Sequence, residues 1–186
     1  MPHAHSAFTL IEMLTTLTLI TILVFISLPA ARNFLADAQD QILQQQLLHA
    51  IELAKCEAEA RHVPIALCAS SNQTSCSDHF EDGQLIFLDE NEDGTINDHQ
   101  QIIAVLQTHS HRGRIYSRSF PRYRHYLLFS PAGMLESDNA TFWHCHDNLP
   151  IWAIMLNKSG RTRVVPADKN GELKDSLGHS LICTLA

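Results

Sequence analysis

The chain has 186 residues, of which 45% are hydrophobic, and a formal net charge of −7. A net acidic balance would exclude a phosphate-bearing partner only if the charge were evenly spread, and it is not. Residues 1–108 carry three basic and fourteen acidic side chains, residues 109–163 eight and three, and residues 164–186 two and three. A local basic face is what phosphates require, so a nucleic-acid partner stays open.

From Leu10 to Leu28 the sequence reads LIEMLTTLTLITILVFISL, with one acid and no basic residue, Gly or Pro over nineteen positions. At ~1.5 Å rise per residue this run covers close to the ~30 Å of a bilayer core. Its threonines are tolerated because a helical Thr can return its hydroxyl to a carbonyl one turn back. Glu12 is the exception. A carboxylate in an apolar helix is expensive in lipid and marks a functional position. A secretory signal would need a positive leader, and Met1–Ala7 contains neither Lys nor Arg. An ordinary membrane anchor gives no reason for the acid.

The short leader, then Phe8-Thr9-Leu10-Ile11-Glu12, then an apolar helix containing Pro29, resembles the class III signal of type IV pilins and pseudopilins. The resemblance implies cleavage by a prepilin peptidase between Ala7 and Phe8, with N-methylation of Phe8. It also implies that Glu12 neutralises the terminal amine of a neighbouring subunit in a filament core. Ala7 stands where the family usually has Gly, but small size is kept and processing is expected.

Beyond Pro29, apolar residues recur at Leu35, Ile42, Leu43, Leu47, Leu48, Ile51, Ala54 and Ala58, which predicts one helix running to about Arg61. Pro29 should kink that helix rather than end it. Glu52, Lys55 and Glu59 have the spacing of surface ion pairs. From Val63 the period changes to that of strands: Val63–Ala69, Leu85–Leu88, Ile102–Leu106, Arg114–Tyr116, Tyr126–Ser130, Ala140–His144, Ile151–Asn157 and Arg161–Pro166. One long helix followed by short strands predicts an α+β fold with a mainly antiparallel sheet.

The ordered set Cys68-Ala-Ser-Ser, Cys76, Gly83-Gln-Leu-Ile-Phe-Leu-Asp89, Asn91-Glu-Asp-Gly94, Phe129-Ser-Pro-Ala-Gly133 and Gly160-Arg-Thr-Arg163 resembles the GspH/FimT family of minor pilins over nearly the whole chain. That resemblance implies a type IV pilin-like fold. Its segments would be a leader at 1–7, a transmembrane and filament-core helix at 8–30, a periplasmic helical half at 31–62 and a β-rich globular domain at 63–186.

Several clusters carry candidate chemistry. Asp89, Asn91, Asp93 and Gly94 match the first half of a calcium loop, but the twelfth place holds Gln100 instead of Glu. An Asp/Asn/Gly cluster also suits a hairpin turn, which is the preferred reading. Five cysteines point to an oxidising compartment. Cys68 and Cys76 form an easy first pair and Cys145 with Cys183 a second, leaving Cys56 free, although spacing does not fix connectivity. His144-Cys145-His146-Asp147 has metal-ligand residue types, but no second cluster accompanies it, so a disulfide is favoured and no metal or other cofactor is expected. No nucleophile elbow, phosphate loop or carboxylate pair supports an enzyme.

Lys158, Gly160, Arg161 and Arg163 form a compact basic motif. On a strand, Arg161 and Arg163 would share a face, and Gly160 would allow a turn from which Lys158 reaches the same side. Three such cations can bridge successive phosphates. A solvated hairpin end is the bland alternative. A second basic stretch contains Arg112, Arg114, Arg118, Arg122 and Arg124, interleaved with Tyr116, Phe120, Tyr123 and Tyr126. That mixture suits phosphate contact and base stacking, or equally Tyr116, Phe120 and Tyr126 packed in the core with arginines that merely face water. In the FimT branch the Gly-Arg-x-Arg motif is associated with DNA binding in natural transformation, and Gly160, Arg161 and Arg163 match it. The resemblance implies an inner-membrane, single-pass protein with a periplasmic domain that assembles into a cell-surface pilus. Its partners would be DNA, bound without sequence preference, other pilins and the prepilin peptidase. A GspH-like structural pseudopilin of type II secretion, or a pilin that only primes assembly, fits the same residues.

Overall fold

In the computed structural model the described residues are 9–98, 101–108, 113–120, 125–137 and 139–183. The Ala7–Phe8 cleavage pair, Arg112, Arg122 and Arg124 lie outside them. The chain divides into two compact units, Met1–Gln39 and Asp40–Ala186. The helix α1 runs from Leu10 to Arg61, so its last part belongs to the second unit.

In the first unit, Thr9 caps α1, with its carbonyl accepting the Glu12 N–H at 3.1 Å. The threonine hydroxyls return to the helix as expected: Thr15 to the Glu12 carbonyl at 3.0 Å, Thr18 to Thr15 at 2.8 Å and Thr21 to Leu17 at 2.7 Å. Each of these hydroxyls is thereby satisfied within the helix, which is the condition for placing it in lipid. Leu10, Ile11, Leu23, Phe25 and Ile26 are all at least 66% exposed. The helix is long and apolar enough to cross a membrane, and Pro29 lies inside it.

In the second unit, Leu43, Leu47, Ala50, Ile51, Ala54 and Ala58 are fully buried. They form a single stripe at helical spacing, and full burial of each leucine or isoleucine contributes about 1.5–3 kcal/mol. Leu35 and Ile42, expected on that stripe, are 59% and 61% exposed. The helix ends where His62 enters the left-handed region at φ 57°.

The strands pair antiparallel, as expected, and divide into two four-stranded sheets. The first has the order β3-β2-β1-β5, from β1 (Ile65–Ala69), β2 (Gly83–Leu88), β3 (Ile102–Gln107) and β5 (Tyr126–Phe129). The second has the order β4-β6-β7-β8, from β4 (Arg114–Phe120), β6 (Asn139–His146), β7 (Leu149–Asn157) and β8 (Thr162–Pro166). Alternation divides each sheet between two environments. Ile65, Leu67, Ala69, Phe129, Phe142, Ile154 and Leu156 join the helix stripe in the main core. The opposite face of β1 gives Ala66 and Cys68 to a cluster with Leu85, Phe87 and Leu128. The outer face of the second sheet packs Ala153, with Trp143, Met155 and Val165 beside it, under Leu173 and Leu181 of the C-terminal segment.

Candidate nucleic-acid interface

The basic motif lies at the turn joining β7 to β8. Asn157 organises it, because its Oδ1 accepts the Arg161 N–H at 3.0 Å and the Ser159 hydroxyl at 2.8 Å. The Gly160 N–H closes the turn on the Asn157 carbonyl at 2.9 Å. Gly160 has φ +69°, and a Cβ there would sit 2.8 Å from the Gly133 carbonyl oxygen and 3.1 Å from the Lys55 side chain. Gly133, with φ +67°, would in turn drive a Cβ to 2.0 Å from the Glu59 carboxylate. Leu135 N–H donates to the Lys158 carbonyl at 2.9 Å, tying the two turns together. The glycine of the motif is therefore a packing residue, wedged between the Ser130–Gly133 turn and α1.

Lys158, Arg161 and Arg163 are exposed, and no carboxylate lies within ion-pair distance of Arg161 or Arg163 among the described residues. The strand begins at Thr162, one residue later than expected, so strand alternation governs Arg163 but not Arg161. Arg163 pairs in register with Met155 and lies on the outer face. Arg161 borders a groove of ≈ 550 Å³ lined also by Glu52, Lys55, Cys56, Glu59, Ser159, Gly160 and Thr162.

The described part of the second basic stretch is different. Arg114 lies 3.7 Å from Glu81, a carboxylate that also accepts the Ile115 N–H at 3.1 Å. Arg118 is paired with Asp175, whose side chain is only 6% exposed. Burial works to raise the Asp175 carboxyl, but the N–H groups of His179 and Leu177, the His179 ring and Arg118 together hold it below the usual carboxylate value. Both arginines are thus substantially neutralised by the protein itself. Tyr116 stacks on Trp143 at 5.6 Å, and its hydroxyl donates to the Cys183 carbonyl at 3.1 Å, so its ring is engaged on the outer face of the sheet and not in the core. Phe120 also departs from the packed reading, being 59% exposed. Across the sheet, Arg118, Thr141, Met155 and Arg163 occupy one register row. The two edges of that row are three strand spacings, or ~14 Å, apart.

Disulfides join Cys68 to Cys76 and Cys145 to Cys183, and Cys56 is free and exposed. The second bond ties the C-terminal segment to β6 and occupies the one thiol of the His144–Asp147 cluster. No group of three or more His, Cys, Asp or Glu side chains able to hold a metal occurs among the described residues. In the Asp89–Gly94 turn, Asp89 accepts the Gly94 N–H at 2.9 Å and the Asp93 N–H at 3.2 Å, while Asp93 accepts the Thr95 N–H at 2.7 Å. These oxygens hold the turn together, as the hairpin reading expects. Burial nevertheless raises the Asp89 carboxyl above its ordinary value, against those two backbone hydrogen bonds.

Sequence reasoning missed one buried polar constellation. His144 is fully buried, its Nε2 lies 3.2 Å from Asp40, and its ring stacks on Trp152 at 5.3 Å. The Trp152 Nε1–H donates to the Asp40 carbonyl at 3.2 Å. Burial pushes the His144 imidazole below its ordinary pKa, with Asp40 opposing. Asp40 lies 104 residues from His144, and no local signal in the sequence links the two.

This combination of an apolar N-terminal helix with a helical continuation that packs on antiparallel sheets is the architecture of type IV pilin-like proteins. Residues 43–165 match the family model described as Type II transport protein GspH, and residues 2–28 match the prokaryotic N-terminal methylation motif. The chain belongs to the GspH family and is a minor pilin or pseudopilin. Two crystal forms of the Pseudomonas aeruginosa type IV minor pilin FimU share its fold at 16% sequence identity. One covers 73% of this chain and 91% of that chain with a TM-score of 0.51, and the other covers 68% and 92% with 0.52. No curated protein is significantly similar in sequence.

Proposed function

We propose that this minor pilin binds extracellular DNA for uptake in natural transformation, anchored in the inner membrane before it assembles into a surface pilus. The observation that carries the reading is the pair Arg161, in the β7–β8 turn, and Arg163, at the start of β8, both exposed and without carboxylate partners among the described residues. Unpaired arginines keep their full charge and their bidentate geometry for phosphate oxygens. Binding is sequence-independent, because phosphates carry no base identity. One subunit with a few contacts binds weakly, and several copies along a filament raise the avidity.

The test is binding of duplex DNA by the full chain in neutral detergent, at low and moderate salt. Arg161→Ala/Arg163→Ala is compared with Arg112→Ala/Arg114→Ala. Salt-sensitive binding lost in the first double variant supports the reading. Loss only in the second moves the interface to the other stretch, and no binding by folded wild-type chain at low salt overturns the proposal. The rival is a structural pseudopilin of type II secretion. It draws support from the GspH family match, and it needs Gly133 and Gly160 for packing but has no use for the arginines.

A further inference from the structure

We propose that Phe120 is a base-stacking position, so that the interface takes single-stranded DNA in preference to duplex. The inference rests on the DNA-binding reading above and concerns the same sheet face. Phe120 pairs in register with Asn139, and Asn139 with Asn157. Asn157 N–H donates to the Arg161 carbonyl at 3.2 Å, so this row ends at the basic turn. The adjacent row is Arg118, Thr141, Met155 and Arg163. One face therefore presents an aromatic ring at the β4 edge and arginine at the β8 edge, ~14 Å away across three strand spacings. Polar amides lie between them.

The other described aromatic side chains on that face are committed. Tyr116 and Trp143 stack on each other, and each donates a hydrogen bond to the C-terminal segment: Tyr116 to the Cys183 carbonyl, Trp143 to the Ile182 carbonyl at 3.0 Å. Phe120 has no polar atom and leaves 59% of its surface in solvent. Such exposure is unfavourable in isolation and suits a ring that receives a flat apolar partner. Charge complementarity selects the partner, since Arg163 on the same face, with Arg161 in the adjoining turn, attracts a polyanion. A nucleobase on a phosphate backbone supplies both parts. Duplex DNA cannot use the ring, because its bases are already paired and stacked inside the helix. A single strand can lay its phosphates at the β8 edge and splay a base onto Phe120 a few nucleotides along.

The experiment measures affinity of the full chain for a short mixed-sequence single strand and for its duplex. Four proteins are compared: wild type, Phe120→Ala, Phe120→Trp and Arg161→Ala/Arg163→Ala. Phe120→Ala should weaken single-strand binding by about five-fold or more, leaving duplex binding and thermal stability unchanged. Phe120→Trp should keep single-strand affinity, and its fluorescence should be quenched by the single strand but not by the duplex. Equal effects of Phe120→Ala on both DNA forms, or none on either, overturn the stacking role while the arginine reading stands. Intact DNA binding combined with loss of pilus assembly in Phe120→Ala would assign the ring to a subunit contact instead. Absence of wild-type binding to either form removes the DNA reading itself, and this inference with it.

Discussion

The salt dependence of DNA binding offers the sharpest quantitative test of the basic turn. If Lys158, Arg161 and Arg163 each neutralise one duplex phosphate, the slope of log K against log salt is about −2.7. Raising salt from 50 to 200 mM should then weaken binding roughly 40-fold. Arg161→Ala/Arg163→Ala leaves one contact, a slope near −0.9 and a loss of only about 3.5-fold over the same range. At 0.1 M salt the lost counterion release corresponds to roughly 60-fold in affinity, or about 2.4 kcal/mol. Fluorescence anisotropy titrations across five or six salt concentrations would give both slopes. Arg114→Ala is the internal control, because Glu81 already opposes its charge at 3.7 Å and its removal should change the slope by much less than one. An unchanged slope in the double variant would show that binding arises elsewhere on the chain and would refute the assignment, whatever the absolute affinity.

Other perturbations test the scaffold. Gly160→Ala forces a Cβ to 2.8 Å from the Gly133 carbonyl at φ +69°, and should lower stability by about 1–3 kcal/mol in thermal or denaturant unfolding. Replacing Cys145 and Cys183 by Ser opens a 38-residue separation against eight for Cys68 and Cys76. Chain-entropy arguments give losses of about 4 and 2.5 kcal/mol respectively, so the first pair of substitutions should lower the unfolding midpoint more. The buried His144 should make stability fall in mild acid. Burial depresses its folded pKa below the unfolded value near 6.5, so the unfolded chain binds the proton first. Stability is full above that value and declines below it at up to about 1.4 kcal/mol per pH unit, until the folded imidazole also titrates. Asp40, His146 and Glu81 are the charged groups that bear on it. Urea midpoints between pH 7 and 5 should show the decline, and His144→Gln should flatten it.

Features of the sequence with a short-range cause could be read from it. All eight strands fall within a few residues of the expected runs, because each alternates between a core side and another side over its own length. The helix through Pro29 is legible because its unbroken apolar run leads directly into a stripe at helical spacing. What the sequence did not disclose has causes spread along the chain. That β4 leaves the first sheet to pair with β6 depends on a register set by seven residue pairs, none within local range. The neutralisation of Arg118 comes from Asp175, 57 positions away, and that of Arg114 from Glu81. A run of arginines therefore read as more basic than the folded surface is. Spacing puts Arg161 on a strand, because it cannot show that Asn157 captures the Arg161 N–H and delays the strand to Thr162.

That last detail changes how the Gly-Arg-x-Arg motif should be interpreted. Gly160 cannot report on DNA binding, because α1 and the Gly133 turn demand a glycine there whether or not any phosphate is bound. A structural pseudopilin with the same turn would keep it. Arg161 and Arg163 are different, since no ion pair and no packing role among the described residues accounts for their charge. A selection limited to folding would accept Gln or Thr at either position with a stability change within about ±0.5 kcal/mol. Arg161→Gln/Arg163→Gln should therefore fold, be processed and enter filaments as wild type while losing salt-sensitive DNA binding. If that variant instead fails to assemble, the arginines serve a subunit contact, and the glycine and the arginines belong to one structural device.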